Sequence, residues 1–106
     1  MMKVYHIRES VLRDREVRVA VSFGGKYPEF NLQNYEMVAL VETDDIDRAY
    51  RLTNHIDQNW GENPGVWVRY GAKNRSTSMG DVIADMQNDA FYCDMVGWKK
   101  VGSNSE

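Results

Sequence analysis

A run of consecutive apolar residues that leads directly into a helix-start signal constrains the fold most. Residues 36–42 read EMVALVE, and five apolar residues in a row suit a strand that is covered on both faces. Thr43, Asp44 and Asp45 follow; their oxygens can cap a helix, and the carboxylates place negative charge at its positive end. This pattern predicts a helix over residues 44–57, ending before the breakers Gly61 and Pro64. Its apolar face consists of Ile46, Ala49, Tyr50, Thr53 and Ile56.

A second pattern predicts a strand over residues 16–23. Val17, Val19, Val21 and Phe23 alternate with Glu16, Arg18, Ala20 and Ser22, and side chains on a strand point to opposite faces with period two. We therefore expect Val17, Val19, Val21 and Phe23 to be buried together against the helix face that carries Ile46, Ala49 and Tyr50, and Val19→Asp to unfold the protein. Residues 11–15 are expected to be a hairpin connection to an opening strand at residues 3–9. Further strands are predicted at residues 66–70, 81–86, 90–95 and 98–101.

These elements predict an α+β fold, with a mostly antiparallel sheet and one packed helix. A chain of 106 residues fits one domain, and the polar residues 102–106 are expected to fray. The net charge of −3 excludes a generally basic nucleic-acid-binding surface. The single Cys93 excludes an internal disulfide and fits a reducing cytoplasm. No apolar run is long enough to span a membrane.

The sequence carries no recognisable catalytic or metal-binding spacing. The residues His6, His55 and Cys93 stand at no metal-ligand spacing, so we expect no metal and no cofactor, and a binding protein more readily than an enzyme. The strongest candidate for anion binding is the loop at residues 73–78, KNRSTS. Two cations and three hydroxyls there suit phosphate or carboxylate. Our candidate binding residues in it are Lys73, Arg75, Ser76 and Ser78.

The same loop has a structural interpretation. Arg75 can form a charge-assisted bond with a carboxylate, Gly80 permits a tight entry into the next strand, and Asp81 can accept from N–H groups of the turn. Of the tryptophans, we expect Trp67 to lie in the core. Trp60, in a turn-rich stretch, is the candidate interface anchor, although a tryptophan in such a place also caps small cores through its N–H.

Three segments together resemble a known group of proteins. They are AYRLTNHIDQNWGENPGV at residues 49–66, RSTSMGDVI at residues 75–83 and YCDMVGW at residues 92–98. This order resembles small bacteriophage and mobile-element proteins related to the YodL-like family, over roughly residues 35–101. The resemblance implies a phage or mobile-element origin and location in the host cytoplasm. It implies no catalytic residues.

Two hypotheses follow from the sequence. In the first, the chain is a small phage-type accessory protein that binds a host or phage protein, for counter-defence or host modulation. In the second, it is a small-ligand or nucleotide-binding domain, with possible enzymatic activity, that uses the 73–78 loop. Direct binding to nucleic acid ranks below both, because acidic residues interrupt the only dense basic run, at Arg13, Arg15 and Arg18.

Overall fold

A computed structural model describes residues 1–24, 26–55, 59–69 and 75–101. Its centre is a six-stranded antiparallel sheet in the order β3-β2-β1-β4-β5-β6, so the predicted α+β fold is confirmed. The strands are β1 (Met2–Ile7), β2 (Tyr35–Val41), β3 (Val66–Val68), β4 (Val82–Asp85), β5 (Ala90–Cys93) and β6 (Trp98–Lys100). The helices are α1 (Glu9–Leu12), α2 (Arg15–Phe23) and α3 (Ile46–Thr53), with a 3₁₀ turn at Trp60–Glu62.

The predicted strand at residues 16–23 is wrong, because this segment is helix α2. An alternation at i, i+2, i+4 and i+6 also contains two i, i+4 pairs, Val17 with Val21 and Val19 with Phe23, and such pairs share a helix face. The Asp14 side chain accepts a hydrogen bond from the Glu16 N–H at the start of α2, which is an N-cap. Val21 is buried, whereas Val19 is 44% and Phe23 78% exposed, so the predicted burial of Val19 and Phe23 is also wrong.

The opening strand is confirmed, but its neighbours differ from those predicted. β1 pairs with β2 on one side and with β4 on the other, whereas the hairpin partner expected for it is α2. The sheet therefore has three helices packed around it rather than one. The β4–β5 hairpin forms as predicted, and Asn88 takes the positive φ of 69° that a glycine usually supplies in such a loop.

Helix α3 is confirmed over Ile46–Thr53, and Asp45 caps it by accepting from the Asp47 N–H. Residues 56 and 57 of the predicted helix lie outside the described part of the chain. The tail at 102–106 also lies outside it.

Each face of the sheet carries its own apolar cluster. On one face α3 and the 3₁₀ turn cover a cluster centred on Val4, Val38, Val41 and Ile83. On the other face the cluster includes Val21 of α2 together with strand residues. Both faces are thus covered, as the apolar run in β2 predicts. Residues 75–81 contact both clusters, because the Arg75 carbonyl accepts from the buried Trp60 and Gly80 lies against Ile7 and Val21.

Candidate functional site

The candidate site is organised around one buried carboxylate, that of Asp81. Asp81 has no exposed surface, and it stands immediately before β4. Its Oδ1 accepts from the backbone N–H of Ile7 at 2.9 Å, and its Oδ2 accepts from the backbone N–H of Ser78 at 2.8 Å. A buried carboxylate is tolerated only where nearby charges and hydrogen-bond donors compensate its lost hydration. The two backbone N–H groups are the uncharged donors among these.

Arg75 supplies the compensating charge. Its two terminal nitrogens donate to the two oxygens of Asp81, at 2.7 and 2.8 Å, the two-pronged geometry in which an arginine binds a carboxylate most strongly. The same guanidinium also donates to the carbonyls of Ile7 and Ser76, both at 3.2 Å. Of the two roles left open for Arg75, the geometry supports the structural one, because these bonds hold the loop to β1.

Thr77 connects this loop to His6 of β1 and to the end of α3. Its side chain is fully buried, and its hydroxyl shares a hydrogen bond of 2.8 Å with Nε2 of His6. Its backbone N–H donates to the carbonyl of Thr53, the last residue of α3, at 2.9 Å. The side-chain amide of Asn54 donates to the Thr77 carbonyl. Residues 75–77 are therefore tied to both β1 and the end of α3.

The electrostatics of His6 follow from its burial. Its side chain lies in the core beside Trp60, with ring centroids 6.2 Å apart, and Nε2 is 4.0 Å from the Asp81 carboxylate. Burial lowers the pKa of His6 from 6.5 to about 4, although the charge of Asp81 partly opposes that change. His6 is consequently neutral at pH 7 and acts as a hydrogen-bonding partner of Thr77 rather than as an exposed base.

Gly80 allows the loop to approach β1 and α2 closely. Its φ is +93°, and a β-carbon at this position would lie 3.0 Å from Ile7 Cδ1 and 3.0 Å from Val21 Cγ1. The buried Tyr35 hydroxyl donates to the Gly80 carbonyl at 2.7 Å, and burial raises the pKa of Tyr35 above its usual range. The predicted need for glycine before Asp81 is confirmed, as is the acceptance of a turn N–H by Asp81.

The sequence-predicted binding residues separate in the structure. Trp60 is fully buried, and its indole N–H donates to the Arg75 carbonyl at 2.9 Å, so it supports the loop from within and is no exposed anchor. Ser76 accepts from the Asn54 side chain at 3.0 Å, whereas Ser78 is exposed. Lys73 lies outside the described residues. The loop thus brings Trp60, Arg75 and Ser76 together as parts of the fold.

A small cavity remains between this loop and helix α2. Its volume is about 170 Å³, and its polar lining includes Arg18, Ser22, Arg75 and Ser78. Sites for drug-sized ligands and cofactors usually measure about 300–1,000 Å³. The cavity is therefore too small for a nucleotide, and the carboxylate of Asp81 already neutralises Arg75 at its wall.

Groups capable of nucleophilic or metal chemistry are inaccessible or dispersed. Cys93 is buried, and burial raises the pKa of its thiol to about 11, which keeps it in the weakly reactive protonated form. Within the described ranges, no three side chains of the His, Cys, Asp and Glu types come together as a metal site would require.

The exposed surface carries large apolar side chains that the sequence patterns misplaced. Trp67, predicted to be in the core, is 62% exposed on β3 at the edge of the sheet. Phe23 at the end of α2 is 78% exposed, and Met95 and Val96 in the turn after β5 are also exposed. The alternation of Val66, Trp67 and Val68 puts the two valines on one face of the strand and Trp67 on the other, and this signal could have placed Trp67 outside the core.

Comparison with other proteins identifies no relative: no protein-family model, curated protein or solved structure matches the chain. Across the described residues, no helix has the length and apolar character needed to cross a bilayer.

Proposed function

We propose that this protein acts without catalysis, by binding another protein through an exposed surface that includes Trp67. The observation that supports this proposal most directly is the exchange of roles between two tryptophans. Trp60 is buried in the core beneath the 75–81 loop, whereas the ring of Trp67 is exposed on the edge strand β3. Tryptophan is among the residue types most enriched at the energetic centres of protein interfaces.

The local structure holds the Trp67 ring ready for contact. Its indole N–H donates to Oε1 of Glu42 at 3.2 Å, and its backbone pairs with Leu40 in β2. A side chain that is already oriented loses less conformational entropy on binding than a free one. β3 has a paired neighbour only in β2 among the described strands, so its outer edge can also pair with an extended segment of a partner.

The expected partner is a host or phage protein. This part of the proposal depends on the resemblance of residues 49–66, 75–83 and 92–98 to small phage and mobile-element proteins. In that setting the protein acts in the cytoplasm of the host bacterium as an accessory factor, for counter-defence or host modulation. Arg75 and Asp81 of the resembling segment pair with each other inside the fold, so neither side chain is available for catalysis. This favours a binding role over an enzymatic one.

The test is capture from a bacterial lysate with immobilised protein. The parent and a Leu32→Ala control are expected to retain the same protein, because Leu32 is also a large exposed apolar residue but lies in the turn before β2 rather than on β3. Trp67→Ala should lose that protein while its free energy of unfolding changes by less than about 1 kcal/mol, as is usual for an exposed residue. Failure to retain any protein, or equal retention by Trp67→Ala, would count against the proposal.

The alternative, a small-ligand domain, finds one supporting observation in the cavity beside Arg18 and Arg75. At about 170 Å³ it fits a small anion rather than a nucleotide. A thermal-shift series with inorganic phosphate and with nucleotides compares the two hypotheses. A rise of several degrees with inorganic phosphate or with a nucleotide, together with no retained protein, would favour the alternative, and a rise with phosphate alone would place the ligand in this cavity.

A further inference from the structure

Helix α2 contributes an oriented arginine to the cavity between this helix and the 75–81 loop. Arg18 lines the cavity, and its Nη1 donates to the carbonyls of Leu12 and Arg13, both at 2.9 Å. These two bonds fix one end of the guanidinium. Its Nε and Nη2 form the planar fork that binds two oxygens of one anion, and they have no hydrogen-bond or ion-pair partner among the described residues. Arg18 therefore supplies a positive charge whose fork is unoccupied.

A backbone N–H group at the same cavity also lacks an acceptor. Met79 lines the cavity and is half-buried. It lies inside the turn that the Asp81 N–H closes by donating to the Ser78 carbonyl at 3.0 Å. The Met79 N–H itself donates to no atom in the part of the chain that the structure describes. Backbone N–H groups away from bulk water are nearly always paired with protein, water or an ion, so this N–H is a donor that an external ligand can use.

Ser78 adds a hydroxyl donor to this set. Its backbone is fully used inside the turn, since its N–H donates to the Asp81 carboxylate at 2.8 Å and its carbonyl accepts from the Asp81 N–H. These bonds hold the residue in place, while the hydroxyl of this exposed serine forms no hydrogen bond within the described ranges. A guanidinium fork, a backbone N–H and a hydroxyl are donor types that proteins use to bind phosphate oxygens.

The groups around the cavity leave one positive charge in excess. The lining contains two guanidiniums, those of Arg18 and Arg75, and one carboxylate, that of Asp81, which together give a net charge of +1. Arg75 and Asp81 pair with each other, so the excess charge belongs to Arg18. The Asp81 oxygens repel an anion in the cavity, although four hydrogen bonds already engage them. We therefore expect a modest affinity for anions.

The cavity has the volume of one small ion. It measures about 170 Å³, and an internal space of about 150 Å³ holds one benzene molecule. A tetrahedral oxyanion such as phosphate is no larger than benzene. Pockets for drug-sized ligands begin at about 300 Å³. The space therefore fits phosphate and excludes a nucleotide.

We propose that this cavity binds one inorganic oxyanion of phosphate size, held by the Arg18 fork, the Met79 N–H and the Ser78 hydroxyl. The proposal goes beyond protein binding at Trp67 and does not depend on it, because Trp67 does not line the cavity. It assigns the anion to Arg18 of α2 rather than to Arg75, which is already paired inside the fold. The proposal involves binding alone, with no covalent step.

An NMR titration of the purified chain with sodium phosphate at pH 7 tests this site. Sodium chloride keeps the ionic strength constant, because salt screens the charge of an exposed arginine. We expect the Met79 amide resonance to move saturably, with a dissociation constant on the order of 1 mM. The amide resonance of Gln87, which lies in an exposed turn and does not line the cavity, should not move.

Three variants separate this site from the general charge of α2. Arg18→Gln should weaken phosphate binding at least about tenfold, because it removes the charge but keeps an amide that can donate to the carbonyls at the end of α1. Arg15→Gln is the matched control, since it makes the same charge change on the same helix at a residue that does not line the cavity; it should change the affinity by less than about twofold. Ser78→Ala removes only the hydroxyl and should weaken binding roughly threefold.

Two results would overturn the proposal directly. One is a Met79 resonance that does not move saturably up to about 50 mM phosphate. The other is an equal loss of affinity in Arg18→Gln and Arg15→Gln, because binding would then reflect the overall charge of the helix. If Arg18→Gln fails to fold, Ser78→Ala decides alone, and an unchanged affinity in that variant would refute the site. Protein binding through Trp67 is measured separately, so the two proposals stand or fail independently.

Discussion

Removal of the Arg75 side chain should cost the protein a large part of its stability. Arg75→Ala deletes two of the four hydrogen bonds on the buried Asp81 carboxylate and the positive charge that offsets it. Removing one partner of a buried ion pair costs about 3–5 kcal/mol. Arg75 is itself 31% exposed, so water reaching the vacated space relieves part of that cost. We expect a loss of about 2–4 kcal/mol.

Urea unfolding at pH 7 and constant salt measures this effect. With a urea dependence of about 2 kcal/mol per M, the middle of the usual range, the midpoint should fall by roughly 1–2 M. Arg75→Lys should lie between the two, because lysine keeps the charge but lacks the planar fork. Arg48→Ala, which removes an exposed arginine on α3, should stay within about 0.5 kcal/mol of the parent. An Arg75→Ala midpoint equal to that of Arg48→Ala would refute the structural role and return Arg75 to the binding surface.

Three further predictions concern acid stability, the loop and α2. The pKa of His6 is about 4 in the folded protein, against an ordinary value of 6.5 that applies once the chain unfolds. Between these two pH values the unfolded chain binds more protons, so the free energy of unfolding should fall as the pH drops, by about 3 kcal/mol in total. A pH series of urea melts in which His6→Gln shows the same slope as the parent would contradict this. Gly80→Ala should lower stability by about 1–3 kcal/mol, because alanine disfavours a φ of +93°, and a calorimetric melting temperature equal to the parent's would show that the turn relaxes. The free energy of unfolding of Val19→Asp should lie within about 1 kcal/mol of the parent's, whereas that of Val21→Asp should be far lower, since of these two valines only Val21 is buried. Urea melts with similar midpoints for the two variants would restore the strand interpretation of residues 16–23.

The predictable part of the fold is the part in which local signals agree. At residues 36–53 the apolar run, the capping residues and the helical spacing all indicate one order of elements, and β2 and α3 follow it. Residues 16–23 were ambiguous because valines two residues apart fit either a strand or two i, i+4 helix pairs. The N-cap at Asp14 decides for the helix, and it lies just outside the alternating pattern.

The hydrogen-bonding roles of individual residues in the 75–81 loop could be predicted from the sequence. Which of the nearby tryptophans is buried could not. The turn roles of Gly80 and Asp81 follow from their residue types, whereas residue type alone left Arg75 open between pairing with a carboxylate of the chain and binding an external anion. The burial of Trp60 and the exposure of Trp67 do not follow from residue type, because they depend on which element covers each ring. Trp60 is packed beneath α3 and the loop, while Trp67 stands on a sheet edge. A local pattern carries no information about such nonlocal coverage.

Amide hydrogen exchange at Ser78 tests most directly whether the 75–81 segment is part of the folded core rather than an open binding loop. Ser78 is exposed and in a loop, yet its N–H donates to the buried Asp81 carboxylate at 2.8 Å. The N–H of Gln87 donates to the Asp85 carboxylate at 2.9 Å in an exposed turn and serves as a matched control. We predict that Ser78 exchanges only through opening nearly as costly as global unfolding, as Val4 in β1 does, while Gln87 exchanges by local opening. Exchange at Ser78 as fast as at Gln87 would contradict the account.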